Sequence, residues 1–129
     1  MPTVPAQKTN GWLNLIRNGA SGADNPKITY VGLGSGTNTP TIGDTQLQTE
    51  IFRKAVTSYS NGSNGEILVS LFLGPSDMIG DDIEEIGFFG GVSATSALNS
   101  GILVARALWS HNPKTGGESI VFQLDAVIS

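Results

Sequence analysis

From Ile28 onward, short runs of alternating apolar and polar residues follow one another, each bounded by Gly, Pro, Asn, Asp or Ser. A period of two with such boundaries predicts strands. In KITYVGLG, Ile28, Tyr30 and Gly32 alternate with Thr29, Val31 and Leu33. Residues 51 to 59 read as a second strand, and SNGSNG at 60 to 65 is a strong turn signal. The run EILVSLFLG alternates Ile67, Val69, Leu71 and Leu73 with Leu68, Ser70 and Phe72. Both of its faces are expected to be largely buried, with the 51 to 59 strand as its hairpin partner. IEEIGFFGG sets Ile86 and Phe88 on one side and Glu85, Gly87 and Phe89 on the other. GILVARALW and ESIVFQLDAVI close the chain as two strands joined by SHNPKTGG, the last with Ile120, Phe122, Leu124, Ala126 and Ile128 on one face.

Helical spacing is confined to two places. Trp12, Leu15 and Ile16 share one helical face and Gly19 offers a stop, which predicts a helix of about two turns. So short a helix is stable only when packed against something. Thr45-Gln46-Leu47-Gln48 has capping-box spacing, with Asp44 as an alternative N-cap, predicting a second short helix near 44 to 50. Residues 1 to 10 carry Pro2 and Pro5 and show no periodicity, so they read as an extended arm outside the core, ordered only by a partner. The fold predicted is mainly β, an antiparallel β-sandwich or barrel of about six strands with one or two short helices. Its organisation is an N-terminal arm at 1–10 and a single β domain at 11–129.

At 129 residues the chain is long enough for one core. A charged fraction of 14% and 17 glycines fit a turn-rich β protein better than a helical bundle. The formal charge of -4, with scattered cations, argues against nucleic acid as a partner. The absence of Cys excludes disulfides and thiolate metal sites, leaving packing or association as the source of stability. MPTVPAQKTNG lacks the apolar core of a signal peptide, and no run approaches the ~20 apolar residues of a membrane span. A soluble protein with no membrane partner is expected.

The stretch GLGSGTNTPTIGDT, with Gly32, Gly34 and Gly36 at alternate positions, invites a phosphate-cradle reading. A P-loop requires Lys and Ser or Thr directly after its last Gly, whereas Gly36 is followed by Thr37, Asn38, Thr39 and Pro40. The dinucleotide spacing fails as well, since Thr37 stands where its third Gly belongs. These glycines are better read as letting a strand end bend or meet another backbone closely. Ser35 lacks the flanking glycines of a nucleophile elbow, having Leu33 and Thr37 instead. His111 is the sole imidazole and sits in a turn, which disfavours both a catalytic triad and a zinc site.

Asp77, Asp81, Asp82, Glu84 and Glu85 form one acidic cluster. Such a cluster could ligate calcium or supply the paired carboxylates of a glycosidase. EF-hand spacing is absent, and adjacent Glu84 and Glu85 point to opposite faces of a strand; a solvated acidic loop is the preferred reading. Glu85 is a candidate partner for Arg53 or Arg106, both set among apolar strand residues. No catalytic, cofactor-binding or metal-binding residue emerges, and an enzyme is not expected. The profile is that of an assembly component.

As a group, these residues resemble a family of tailed-bacteriophage virion proteins, many of them tail-fibre-associated. The segment ITYVGLGSGTNTPTIGDTQLQTEIFRKAV is similar through Tyr30, Gly34, Gly36, Thr37, Pro40, Asp44, Thr45, Leu47, Glu50 and Arg53. IEEIGFFGG and SGILVARALW add Ile83, Glu85, Ile86, Gly87, Phe89, Gly101, Leu103, Ala105 and Arg106. The resemblance covers residues 28 to 128. It implies a structural role in the virion without catalysis, and an internal ion-pair network in which Arg53, Glu85 and Arg106 take part.

Three roles follow as expectations. A capsid decoration (cement) protein, trimeric as is usual in such families, would bind the major capsid protein through Pro2, Thr3, Val4 and Pro5, with Trp12, Leu15 and Ile16 as an apolar anchor. On that reading residues 1 to 10 are dispensable for folding. A tail-fibre or baseplate component would instead contact tail proteins and show a host glycan an exposed loop such as SNGSNG or SATSALNSG. A carbohydrate-binding module would use exposed aromatics, with Trp12, Trp109, Tyr30 and Tyr59 as candidates. The decoration role is preferred because relatives with fibre regions are longer.

Overall fold

The computed structural model describes residues 6–111 and 113–127. Among them, eight strands and one helix are formed: β1 (Gln7–Lys8), α1 (Asn10–Ala20), β2 (Ile28–Gly34), β3 (Glu50–Ala55), β4 (Ser58–Asn61), β5 (Glu66–Leu73), β6 (Ile83–Gly90), β7 (Ile102–His111) and β8 (Ile120–Val127). The larger sheet has the order β1-β7-β6-β2-β3 and the smaller the order β4-β5-β8. All neighbouring strands are antiparallel. The protein is a mainly β, two-sheet sandwich with one short helix.

The alternation read from the sequence determines what lies between the sheets. Val31, Leu33, Ile86, Phe88, Ala105 and Ala107 of the larger sheet join Val69, Leu71, Leu73, Phe122, Leu124 and Ala126 of the smaller in one buried cluster. Each large aliphatic or aromatic side chain removed from water contributes on the order of 2 kcal/mol. On β5 only this inner face is dry. Leu68 and Ser70 are half-buried and Phe72 is 40% exposed, so the expectation that both faces are buried is corrected.

The 51 to 59 segment is divided between the two sheets. β3 pairs with β2, and β4 pairs with β5 across the predicted turn, where Gly65 takes a positive φ of 77. The switch is made by two consecutive residues: the Val56 amide donates to the Thr29 carbonyl and the Thr57 amide to the Ser70 carbonyl.

α1 has 11 residues and so runs three turns, one more than its apolar spacing indicates. Gly19 lies inside it, close against Pro26. The stop is Gly22, at φ 82, whose amide donates to Gly19 while that of Ala23 donates to Asn18. This is a Schellman termination, which requires a left-handed residue at that point. The predicted helix near 44 to 50 does not form; the backbone amides that would start it are used elsewhere, as described below.

The N-terminal segment requires the largest revision. Gln7 and Lys8 form the edge strand β1 against Arg106 and Ala105, and Thr9 is buried, its amide donating to Val104 at 3.0 Å and its hydroxyl to the Leu103 carbonyl. The end of the proposed arm is therefore part of the domain. Pro2, Thr3, Val4 and Pro5 lie outside the described residues. Trp12 and Leu15, at 1% and 0% exposure, belong to the core cluster, with Ile16 packed at its margin. As a surface anchor Trp12 and Leu15 are excluded, because their apolar area is already buried within the chain. A chain starting at residue 11 is expected to be less stable than one starting at residue 6 by a few kcal/mol, at ~1 kcal/mol per lost hydrogen bond plus lost packing. Equal urea midpoints for the two would show that β1 and Thr9 contribute nothing.

Candidate functional site

Arg53, Glu85 and Arg106, three of the charged residues singled out in the sequence, gather on the face of the larger sheet turned away from the core. Register places Gly34 of β2 opposite Glu50 of β3 on one side and Glu85 of β6 on the other, while Gly32 lies between Arg53 and Gly87, and Gly87 faces Arg106 of β7. The alternate glycines clear space on this face. A Cβ on Gly32 would stand 2.7 Å from the Glu50 carboxylate, and one on Gly34 would stand 2.7 Å from that of Glu85. They admit buried carboxylates rather than a phosphate.

Glu85 is fully buried and accepts four hydrogen bonds. Its Oε2 receives the amides of Gly36 and Thr49, both at 2.7 Å, and its Oε1 receives the Gln48 amide and Arg106 Nε, both at 2.9 Å. This explains the missing helix: the Gln48 and Thr49 amides turn inward to a carboxylate instead of back to carbonyls one turn earlier. Arg106 extends from Glu85 to the Asn38 carbonyl (3.1 Å), the Asn38 side chain (2.6 Å) and Asp44 (3.3 Å). Burial pushes the Asp44 carboxyl up, but hydrogen bonds from Thr41 and the charge of Arg106 outweigh it, so the group titrates below its ordinary value. The loop from 36 to 49 is thus clipped to the sheet through β6 and β7. Its Leu47 enters a small second core with Phe89 and Leu103, over the space that Gly87 leaves.

A second pair repeats the device at the next loop. Arg53 bonds Glu50 through Nε at 2.7 Å and Nη2 at 3.0 Å, and both side chains are buried. Glu50 also accepts the Asn99 amide, Arg53 Nη1 donates to Thr95 and Ser100, and the guanidinium lies 4.1 Å from the centre of the Phe89 ring. Of the two partners foreseen for Glu85, Arg106 is therefore the one it meets. Glu50 and Asp44, the partners sequence reasoning did not assign, both stand in the pattern that carried the virion-family resemblance, and that was the available signal.

The remaining candidates are dispersed. Asp77 holds Lys54 at 2.7 Å, and this hydrogen bond, with one from the Gly74 amide, lowers its pKa. Asp81 and Asp82 are exposed, and Glu84 accepts from the Ser110 hydroxyl on the strand face opposite Glu85. Among the described residues no group of three or more His, Asp or Glu side chains is placed to hold a metal ion. His111 bonds Glu118 at 2.8 Å, lowering the Glu118 pKa, and stacks on Trp109 at 5.0 Å. The aromatic side chains weighed as sugar platforms are engaged within the domain. Trp12 is core, Tyr30 packs on the second core, Tyr59 donates its hydroxyl to the Ile28 carbonyl, and Trp109 also meets Phe122 edge to face.

Fold and outer face together define a small antiparallel β-sandwich whose long loops are clipped to one sheet by buried ion pairs. Comparison with protein-family models, curated proteins and solved structures finds no match to this chain. No helix among the described residues is long and apolar enough to cross a membrane.

Replacing Glu85 with Ala is expected to cost about 3–5 kcal/mol, since it strands Arg106 and three amides away from water; a loss under 1 kcal/mol in chemical denaturation would show that the network is dispensable. For Asp44 and Asp77, a folded pKa below the unfolded one means that each stabilises the fold above pH ~4 and that this contribution is lost as pH falls through the lowered folded value. Thermal melts are expected to drop below pH ~4 with a shallower slope in Asp77→Asn, and an unchanged slope would contradict the assignment.

Proposed function

We propose that the chain is a structural component of a tailed-bacteriophage particle, a head decoration protein that binds the capsid through its N-terminal segment and through contacts among copies, as a trimer. The observation that carries this reading is the use of the buried charges. Glu50, Arg53, Glu85 and Arg106 are each saturated by partners inside the domain and hold loops in place. An active site keeps a perturbed charged group facing a cleft where substrate can meet it, whereas here the charges act as fasteners.

The resemblance gains physical meaning from the same face. Gly34, Gly36, Asp44, Leu47, Glu50, Arg53, Glu85, Gly87, Phe89, Leu103 and Arg106, which carry the virion-family pattern, assemble the two clips and the small core between them. A pattern made of loop fasteners marks a shared scaffold, which supports a structural role. With Trp12 and Leu15 committed to the core, the docking role is assigned to residues 1–5 of the sequence, ahead of the edge strand β1.

Copy number per purified particle, measured by quantitative mass spectrometry against the major capsid protein, tests the assignment. Hundreds of copies per head are expected of symmetric decoration. A handful to a few dozen would move the protein to the tail, and absence from the particle would overturn the virion reading. A variant lacking residues 2–5 is expected to fold and to lose particle binding; full binding by that variant would overturn the docking role of the segment.

A further inference from the structure

A cavity of about 350 Å³ opens between the first turns of α1, the 43 to 45 turn and the start of β7. Its lining includes Asn10 and Asn14, one helical turn apart on the same face, together with Asp44, Thr45 and Ile102. The side chains of Asn10, Asn14 and Thr45 are exposed to water. Asp44 is held in place by Thr41 and Arg106. Its position is thus fixed before any ligand arrives. Gly43 borders the opening, and a Cβ placed there would have no heavy atom within 4 Å.

We infer that this cavity binds a neutral pyranose unit. An anion is disfavoured, because the wall carries a carboxylate, the neighbouring Arg106 is buried and already paired, and the chain is at -4 overall. A cation gains little, since Arg106 at 3.3 Å offsets the charge of Asp44. What remains is a set of carboxamides, each offering donor and acceptor together, a hydroxyl and a fixed acceptor, beside the aliphatic Ile102 in a lining more apolar than polar. A pyranose matches this set, with adjacent hydroxyls that both donate and accept and an apolar C–H face to cover Ile102. The site uses none of the aromatic side chains weighed from the sequence, and the inference stands apart from the decoration assignment.

The test is a nitrogen-15 chemical-shift titration of the full chain with methyl α-mannopyranoside, methyl β-galactopyranoside and the methyl β-glycoside of N-acetylglucosamine. At least one glycoside is expected to shift the amides of Gly11, Gly43, Thr45 and Ile102 saturably, with a dissociation constant on the order of millimolar. Asn14→Ala, at an exposed helix position, is expected to weaken binding ~10-fold. Gly43→Phe, whose Cβ would stand in open space at the rim, is expected to obstruct the opening and abolish binding while the rest of the spectrum stays dispersed and unchanged. Absence of saturable shifts with all three glycosides, shifts that map elsewhere, or binding indifferent to Gly43→Phe would each overturn the proposal.

Discussion

One buried carboxylate, that of Glu85, organises the outer half of this protein. A charge removed from water is tolerated only when its hydrogen-bonding capacity is met and its charge is offset. Glu85 meets both conditions by taking three backbone amides from a loop distant in sequence and one guanidinium N–H from the neighbouring strand. The loop cannot leave without stranding the charge, and the charge cannot remain without the loop. That mutual dependence makes 36 to 49 a structural layer, although it contains no strand or helix of its own.

The glycines make the arrangement sterically possible. A β face normally presents a side chain at every second residue, and on the interior strand β2 two such positions are Gly32 and Gly34. The room they leave is taken by the carboxylates of Glu50 and Glu85, and Leu47 occupies the room above Gly87. Backbone and carboxylate therefore approach the sheet more closely than any residue bearing a Cβ would permit. Asn99 and Gly101, at φ 66 and 85, shape the second loop so that it reaches Glu50 and Arg53. Two loops, two ion pairs and a small apolar cluster cover a face that would otherwise expose glycine-rich backbone to water.

Several elements were legible because their cause is local. β2, β5, β6, β7 and β8 fall within two residues of the alternating runs that predict them, since alternation reports directly on one buried and one open face. The turn at 60 to 65 and the apolar helix face of Trp12 and Leu15 were equally local signals. The division of 51 to 59 between two sheets was not legible, because alternation continues through the switch and only the partners change. Capping-box spacing at 45 to 48 is real but was overruled, as a buried carboxylate offers those amides a stronger acceptor than a nascent helix does. Polarity and two prolines marked residues 1 to 10 as an arm, yet Gln7, Lys8 and Thr9 gain order from a strand about a hundred residues away in sequence, beyond any local pattern.

By itself, then, the sequence determined a mainly antiparallel β fold without disulfides, and it singled out Arg53, Glu85 and Arg106 as charges set among apolar strand residues. Those properties depend on residue type and spacing alone. Tertiary structure decided which charge met which, drawing Glu50 to Arg53 and Asp44 with Glu85 to Arg106. It also turned a glycine ladder into a seat for carboxylates and opened a cavity between a helix and a turn. Pairing and cavities arise where segments far apart in the chain are brought together, and a one-dimensional pattern carries no term for that distance.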